Sequence, residues 1–107
     1  MNMQEISVQQ LKQMQDEGTP FVLIDVREPY EAEICTLHGK LIPMGAVLNH
    51  LDDIPQSGTV IMHCRSGGRS GTVIHVLSSE YGYTNLINLT GGILAWARDI
   101  DPSMPTY

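Results

Sequence analysis

Three short, largely apolar stretches constrain this chain more than any other feature: the continuous run "FVLIDV" (21–26) and the strand-like "TVIMH" (59–63) and "NLINL" (85–89). A run without polar alternation fits a strand covered on both faces, as in a parallel sheet flanked by helices. The stretches between the runs read as helices. Ser7 and Gln10 form a capping box, Val8, Leu11 and Met14 recur on one face, and Gly18 and Pro20 end the segment. Pro29 in "REPYEAEI" suits the first turn of a short helix. "KLIPM" is a short strand or extended piece, and "GAVLNHLDDIP" places Val47, Leu48, Leu51 and Ile54 near helical spacing before Pro55. "SGTVIHVLSSEYG" (70–82) predicts a helix with Val73, Val76 and Leu77 inward. "TGGILAWARD" predicts a last helix, with Thr90 as N-cap and Trp96 packed on the sheet, and "DPSMPTY" is a tail.

This alternation predicts an α/β fold with a mainly parallel central sheet and helices on both faces. A length of 107 residues suits one domain, 1–107, with no internal repeat or linker. In such sheets ligands gather beyond the carboxyl ends of the strands, where Asp25 and Cys64 both fall.

Cys64 opens the stretch "HCRSGGRSGTV". A strand, a glycine-rich turn and a helix N-terminus together make an anion site, because backbone N–H groups converge in the turn and the helix dipole adds positive potential. Gly67 and Gly68 allow close backbone approach, and Arg65 and Arg69 add two charges. A cysteine in that setting has a depressed pKa and reacts as thiolate. The plainer alternative is a structural cysteine beside a turn. A second alternative is a cysteine phosphatase, whose His-Cys is followed by five residues and then Arg. Here only four, "RSGG", separate Cys64 from Arg69. One residue fewer removes about 3.3–3.6 Å of contour, so the loop suits a single extra sulfur atom better than a phosphoryl group.

The bulk composition narrows the classes further. A net charge of −6 argues against nucleic acid or anionic membrane as partner. "MNMQEISVQQ" lacks the basic start and apolar run of a signal peptide, and no apolar stretch approaches the ~20 residues of a membrane span. Two cysteines are too few for a disulfide framework, and no Cys/His pair has zinc-ligand spacing. A cytoplasmic chain without metal is expected.

"DVREPYE" after a buried strand, "HCRSGGRS" before a helix and "LTGGILAW" near the end together resemble a single-domain rhodanese, over almost the whole chain. The resemblance implies a sulfurtransferase that needs no cofactor. Cys64 would take a sulfane sulfur from a donor such as thiosulfate, hold it as a persulfide stabilised by loop amides, and pass it to cyanide or a thiol. The substrate contacts it implies are Arg65, Ser66, Gly67, Gly68 and Arg69. "YEAEICTLHGKLIPMG" and "DIDPSMPTY" are similar to the rhodanese domains appended to ubiquitin-activating-type adenylyltransferases, which deliver sulfur for molybdopterin, thiamine or tRNA thiolation. That likeness implies an alternative role as a persulfide carrier between protein donors and acceptors. "LHGKLIPMGAV" departs from the commoner His-Ile-Pro-Gly-Ala pattern.

Several residues also have a plain structural reading. One of the two arginines would pair with a carboxylate to hold the loop, and Arg65, next to the nucleophile, is the better placed to face a donor. Ser66 and Ser70 are placed to donate to sulfur or cap the helix, and capping suits Ser70. Asp25, Arg27 and Glu28 read as an ion-pair network bracing the loop. His63 need not act as a base, and His75 reads as a surface residue. Cys35 fits a small buried apolar side chain better than a redox partner of Cys64.

Overall fold

The apolar runs become the middle of a five-stranded sheet in the computed structural model, which describes residues 3–107. Its strands are β1 (Gln4–Ile6), β2 (Val22–Asp25), β3 (Lys40–Leu41), β4 (Val60–His63) and β5 (Leu86–Leu89), in the order β1-β5-β4-β2-β3. Every pairing is parallel. The helices are α1 (Val8–Glu17), α2 (Pro29–Ile34), α3 (Gly68–Glu80) and α4 (Gly92–Asp99).

β4 lies at the centre and is buried along its whole length. Its side chains alternate between two apolar clusters, as the two-residue period of a strand requires. Val60 and Met62 pack with Val73, Ile74 and Leu77 of α3 and with Val47 and Ile54. Ile61 points the other way, to Val8 and Leu11 of α1 and Ile93 and Trp96 of α4. Helices therefore cover both faces, as the sequence implies, and Trp96 packs where expected.

The elements differ from the sequence reading in four places. β1 is an added edge strand, mostly exposed and without an apolar run to announce it. Residues 44–53 form two 3₁₀ segments, Met44–Asn49 and Leu51–Asp53, in place of one helix. The stretch is bracketed by Pro43 and Pro55, and its bonds run from residue i to i+3, as from His50 N–H to Val47 O at 2.9 Å. Only Val47 and Ile54 are fully buried, while Leu48 faces solvent. α3 begins at Gly68, so Ser70 lies inside its first turn and is not its cap. α4 is capped by Gly91, whose carbonyl accepts the first helical bond from Ala95 N–H (3.1 Å), and not by Thr90, whose amide donates to Ile6 O (2.8 Å) and continues the β1–β5 pairing.

Within this topology β2 continues through α2 to β3 on one side, and β4 through α3 to β5 on the other. The connections part at the carboxyl ends of these two neighbours, where Asp25 and His63 stand in register. That parting creates the crevice in which open parallel sheets hold ligands.

Candidate active site

Cys64 follows β4 directly and is buried. Its Sγ accepts from the Gly67 amide at 3.1 Å and the Ser70 amide at 3.4 Å, with the Ser70 hydroxyl also at 3.4 Å. Burial pushes the thiol up. The Ser70 hydroxyl and the amides of Ser70, Gly67 and Ser66 outweigh it and hold the thiol below its ordinary value. Gly67 supports this turn with φ of 108°, a left-handed value that glycine adopts without penalty. The sulfur thus rests on converging N–H groups at the start of a 13-residue helix, an environment that favours negative charge.

Two further elements aim those amides. Asn88 of β5 is buried; its Nδ2 donates to Gly67 O (3.1 Å) and its Oδ1 accepts from the Ser70 hydroxyl (2.6 Å). Ser70 has one proton to give, and Asn88 is the nearer claimant, so the backbone amides are the steadier sulfur ligands. The start of α4 holds the loop from the other side: Ile93 N–H donates to Cys64 O (3.0 Å) and Leu94 N–H to Arg65 O (3.1 Å). A Cβ on Gly92 would lie 2.5 Å from Arg65 O and 2.6 Å from Cys64 O, so only glycine permits this approach. The "TGG" of the last motif is therefore part of the sulfur site.

A chain of polar groups braces the loop from β2 and α2. Arg27, fully buried, donates to Asp25 through Nε (3.0 Å) and Nη2 (2.7 Å), and to Cys35 O at 2.9 Å. Its Nη1 donates to the hydroxyl of Tyr107 at 3.0 Å, and that hydroxyl donates to Glu31 Oε1 at 2.7 Å. Glu31 in turn takes both arms of the Arg69 fork, at 2.7 and 2.8 Å, and the Glu28 amide at 2.8 Å. Arg69 is the arginine that pairs with a carboxylate. Arg65 donates to the main-chain oxygen of Tyr107, and its guanidinium lies 5.0 Å from that ring's centre. Glu28 is exposed and serves as the N-cap of α2. The bracing carboxylate is Glu31, not Glu28.

The Glu31 carboxyl is held at about 2, against an ordinary 4.5, chiefly by Arg69. A depressed carboxyl stabilises the fold above its unfolded pKa, and that share is lost as pH falls from 4.5 to 2. At 1.36 kcal/mol per unit, and with Arg69 a third exposed, the contribution is about 2–3 kcal/mol. Urea unfolding from pH 6 to pH 2 is expected to show a shallower acid loss in Glu31→Gln than in the parent, by about that amount. Equal acid slopes would contradict the assignment.

His63, His75 and Cys35 fall outside the sulfur cradle. His63 is fully buried, its Nε2 lacks a hydrogen-bond partner 3.9 Å from Asp25, and burial pushes the imidazole down, so it stays neutral. His75 is exposed. Cys35 packs in the cluster on the opposite sheet face from Cys64. Within the loop, Ser66 and Gly68 are exposed; the Ser66 amide is turned to sulfur, and Gly68 begins α3. The sequence reading missed Glu31, Asn88 and Tyr107. A polar residue interrupting the apolar run "NLINL" was the available signal for Asn88.

The rhodanese-like domain family model matches residues 7–99. Over 95 residues the chain is 35% identical to a sulfurtransferase of Allochromatium vinosum, covering 88% of each chain. It is 33% identical over 105 residues to the "Probable adenylyltransferase/sulfurtransferase MoeZ" of Mycobacterium tuberculosis, covering 95% of this chain and 26% of that protein. Against relatives of that type the chain spans about a quarter of their length. Its fold matches the crystal structure of a rhodanese-like domain protein from Staphylococcus aureus, with a TM-score of 0.79, 29% identity, and 88% and 91% of the two chains covered. Among the described residues no helix is long and apolar enough to cross a membrane.

Proposed function

The chain belongs to the rhodanese-like family, and from that premise we propose that it transfers sulfane sulfur through a persulfide on Cys64. The observation that carries the reading is the convergence of the Gly67 and Ser70 amides on one sulfur atom. The Cys64 thiolate attacks the outer sulfur of thiosulfate; the new S–S bond forms as the bond to sulfite breaks, and sulfite leaves with the electron pair. Cyanide or a thiolate then attacks the outer sulfur of the persulfide, taking it as thiocyanate or a new persulfide and returning the Cys64 thiolate. The charge that moves onto the outer sulfur lies over the helix N-terminus and the loop, which stabilise it. No cofactor takes part, since sulfur is carried on the cysteine itself. Arg65, Ser66, Gly67, Gly68 and Arg69 form the donor-side wall.

A second reading, a persulfide relay between proteins, is favoured by one observation: both arginines of the loop already have partners, Glu31 and Tyr107. A protein donor or acceptor, in a cytoplasmic pathway where both cysteines stay reduced, fits that arrangement.

The test is mass spectrometry of Cys64 after exposure to thiosulfate, and separately to a cysteine desulfurase with cysteine. A gain of one sulfur atom on Cys64 is expected, and its absence with every donor would overturn the proposal. Persulfide formation should reach its plateau above the thiol pKa and fall as pH drops below it. Because that pKa lies under its ordinary 9.0, the acidic limb should appear below pH 9. A limb at or above pH 9 would mean the cradle does not favour thiolate.

A further inference from the structure

Tyr107 touches three charged side chains of the site, Arg27, Glu31 and Arg65. Its hydroxyl joins Arg27 to Glu31, the carboxylate that clamps Arg69. Its main-chain oxygen takes the Arg65 guanidinium, and its ring stands under that guanidinium at 5.0 Å and near Arg27 at 5.9 Å. One residue of the segment after α4 therefore occupies Arg65 directly and reinforces the clamp on Arg69. These are the two cations next to Cys64 that a free oxyanionic donor would use.

We propose that Tyr107 is a specificity-determining residue of the sulfur site. By holding Arg65 it withholds a cation from small anionic donors and leaves the amide cradle, which recognises sulfur itself, as the main recognition element. The site so arranged favours a persulfide presented on a protein cysteine over free thiosulfate. Release of Tyr107 converts it toward a small-anion site. The proposal rests on the reading of Cys64 as the sulfur-carrying thiolate, but its selectivity for charge is testable without sulfur transfer.

The electrostatic origin gives a clean probe pair. Iodoacetate and iodoacetamide alkylate a thiolate by the same displacement and are nearly equal in size, but only iodoacetate carries a negative charge. The measured quantity is the ratio of their alkylation rates at Cys64, followed by mass spectrometry of the peptide that contains it. A freed, charge-assisted Arg65 contact, partly exposed to water, is worth about five- to tenfold. Alanine at 107 keeps the main-chain oxygen but loses what pins it against Arg65, namely the ring under the guanidinium and the hydroxyl's bonds to Arg27 and Glu31. Tyr107→Ala should therefore release the segment, raise the iodoacetate-to-iodoacetamide ratio about five- to tenfold and lower the KM for thiosulfate by a similar factor, with kcat little changed. A merely structural loosening would speed both reagents alike and leave the ratio fixed. Adding Arg65→Ala to Tyr107→Ala should return the ratio to that of the parent. Tyr107→Phe keeps the ring and main-chain oxygen against Arg65 and should shift the ratio less than twofold. An unchanged ratio in Tyr107→Ala, or a raised ratio that survives Arg65→Ala, overturns the proposal. If the ratio behaves as described but no donor loads sulfur on Cys64, the sulfurtransferase reading fails and the charge gate stands.

Discussion

Cys64→Ser is expected to remove sulfur transfer to background while leaving the fold in place. Serine lacks an atom that can hold a sulfane sulfur, so no mass gain should appear at position 64 with any donor. The fold should survive for a local reason. The serine hydroxyl is smaller than the thiol and faces the same Gly67 and Ser70 amides that the sulfur accepts from, so its buried polar atom is offered partners. A cost of about 1–2 kcal/mol is the scale for such a change, which lowers Tm by roughly 4–16 °C in a domain of this size. Cys35→Ser is the matched control. It changes a cysteine in the other apolar cluster, on the far side of the sheet, and should keep most of the turnover. Activity in the Cys64 variant would end the persulfide mechanism; loss of activity in a folded Cys35 variant would show that the two thiols cooperate.

The central strands, both layers of helices and the sulfur loop were legible because each is local. An apolar run of four to six residues, a capping box and a cysteine followed by glycines and arginines are patterns within a short window. What was not legible depends on contacts between distant residues. Glu31 meets Arg69 across 38 positions and Tyr107 across 76, and nothing in "YEAEI" distinguishes Glu31 from Glu33 until α2 is laid against the loop. The edge strand β1 forms because β5 offers it a register, not because "QEI" has strand character. The segment at 44–53 had helical spacing, yet its prolines and single buried valine settle for 3₁₀ turns. The place of Ser70 in the chain suits a cap; the helix instead starts after Gly67, and the hydroxyl goes to Asn88 and sulfur.

Arg27→Met should be the most destabilising single change near the site. Arg27 has no exposed surface, and Asp25 beside it is 1% exposed. Removing the guanidinium leaves the carboxylate with only the Arg27 amide at 3.0 Å and strips the carbonyls of Cys35 and Glu31 of a donor. Breaking one side of a buried pair costs about 3–5 kcal/mol, because the other charge is left without compensation. A domain of this kind has only about 5–15 kcal/mol in total, so Tm should drop by roughly 12–40 °C. The penalty comes mainly from the stranded carboxylate, which fixes the sign of the second experiment. Adding Asp25→Leu to Arg27→Met removes that charge and should recover about 1–3 kcal/mol relative to the single variant, a coupling expected of groups in direct contact. The amides that hold the Cys64 sulfur come from Gly67 and Ser70, not from this pair. The double variant, once folded, should therefore still alkylate at Cys64, with the charge selectivity loosened because the Tyr107 hydroxyl has lost Arg27. Chemical denaturation of the parent, the single and the double variant measures both steps. A single variant within 1 kcal/mol of the parent, or a double variant less stable than the single, would show that the "DVRE" motif does not hold the site through this buried pair.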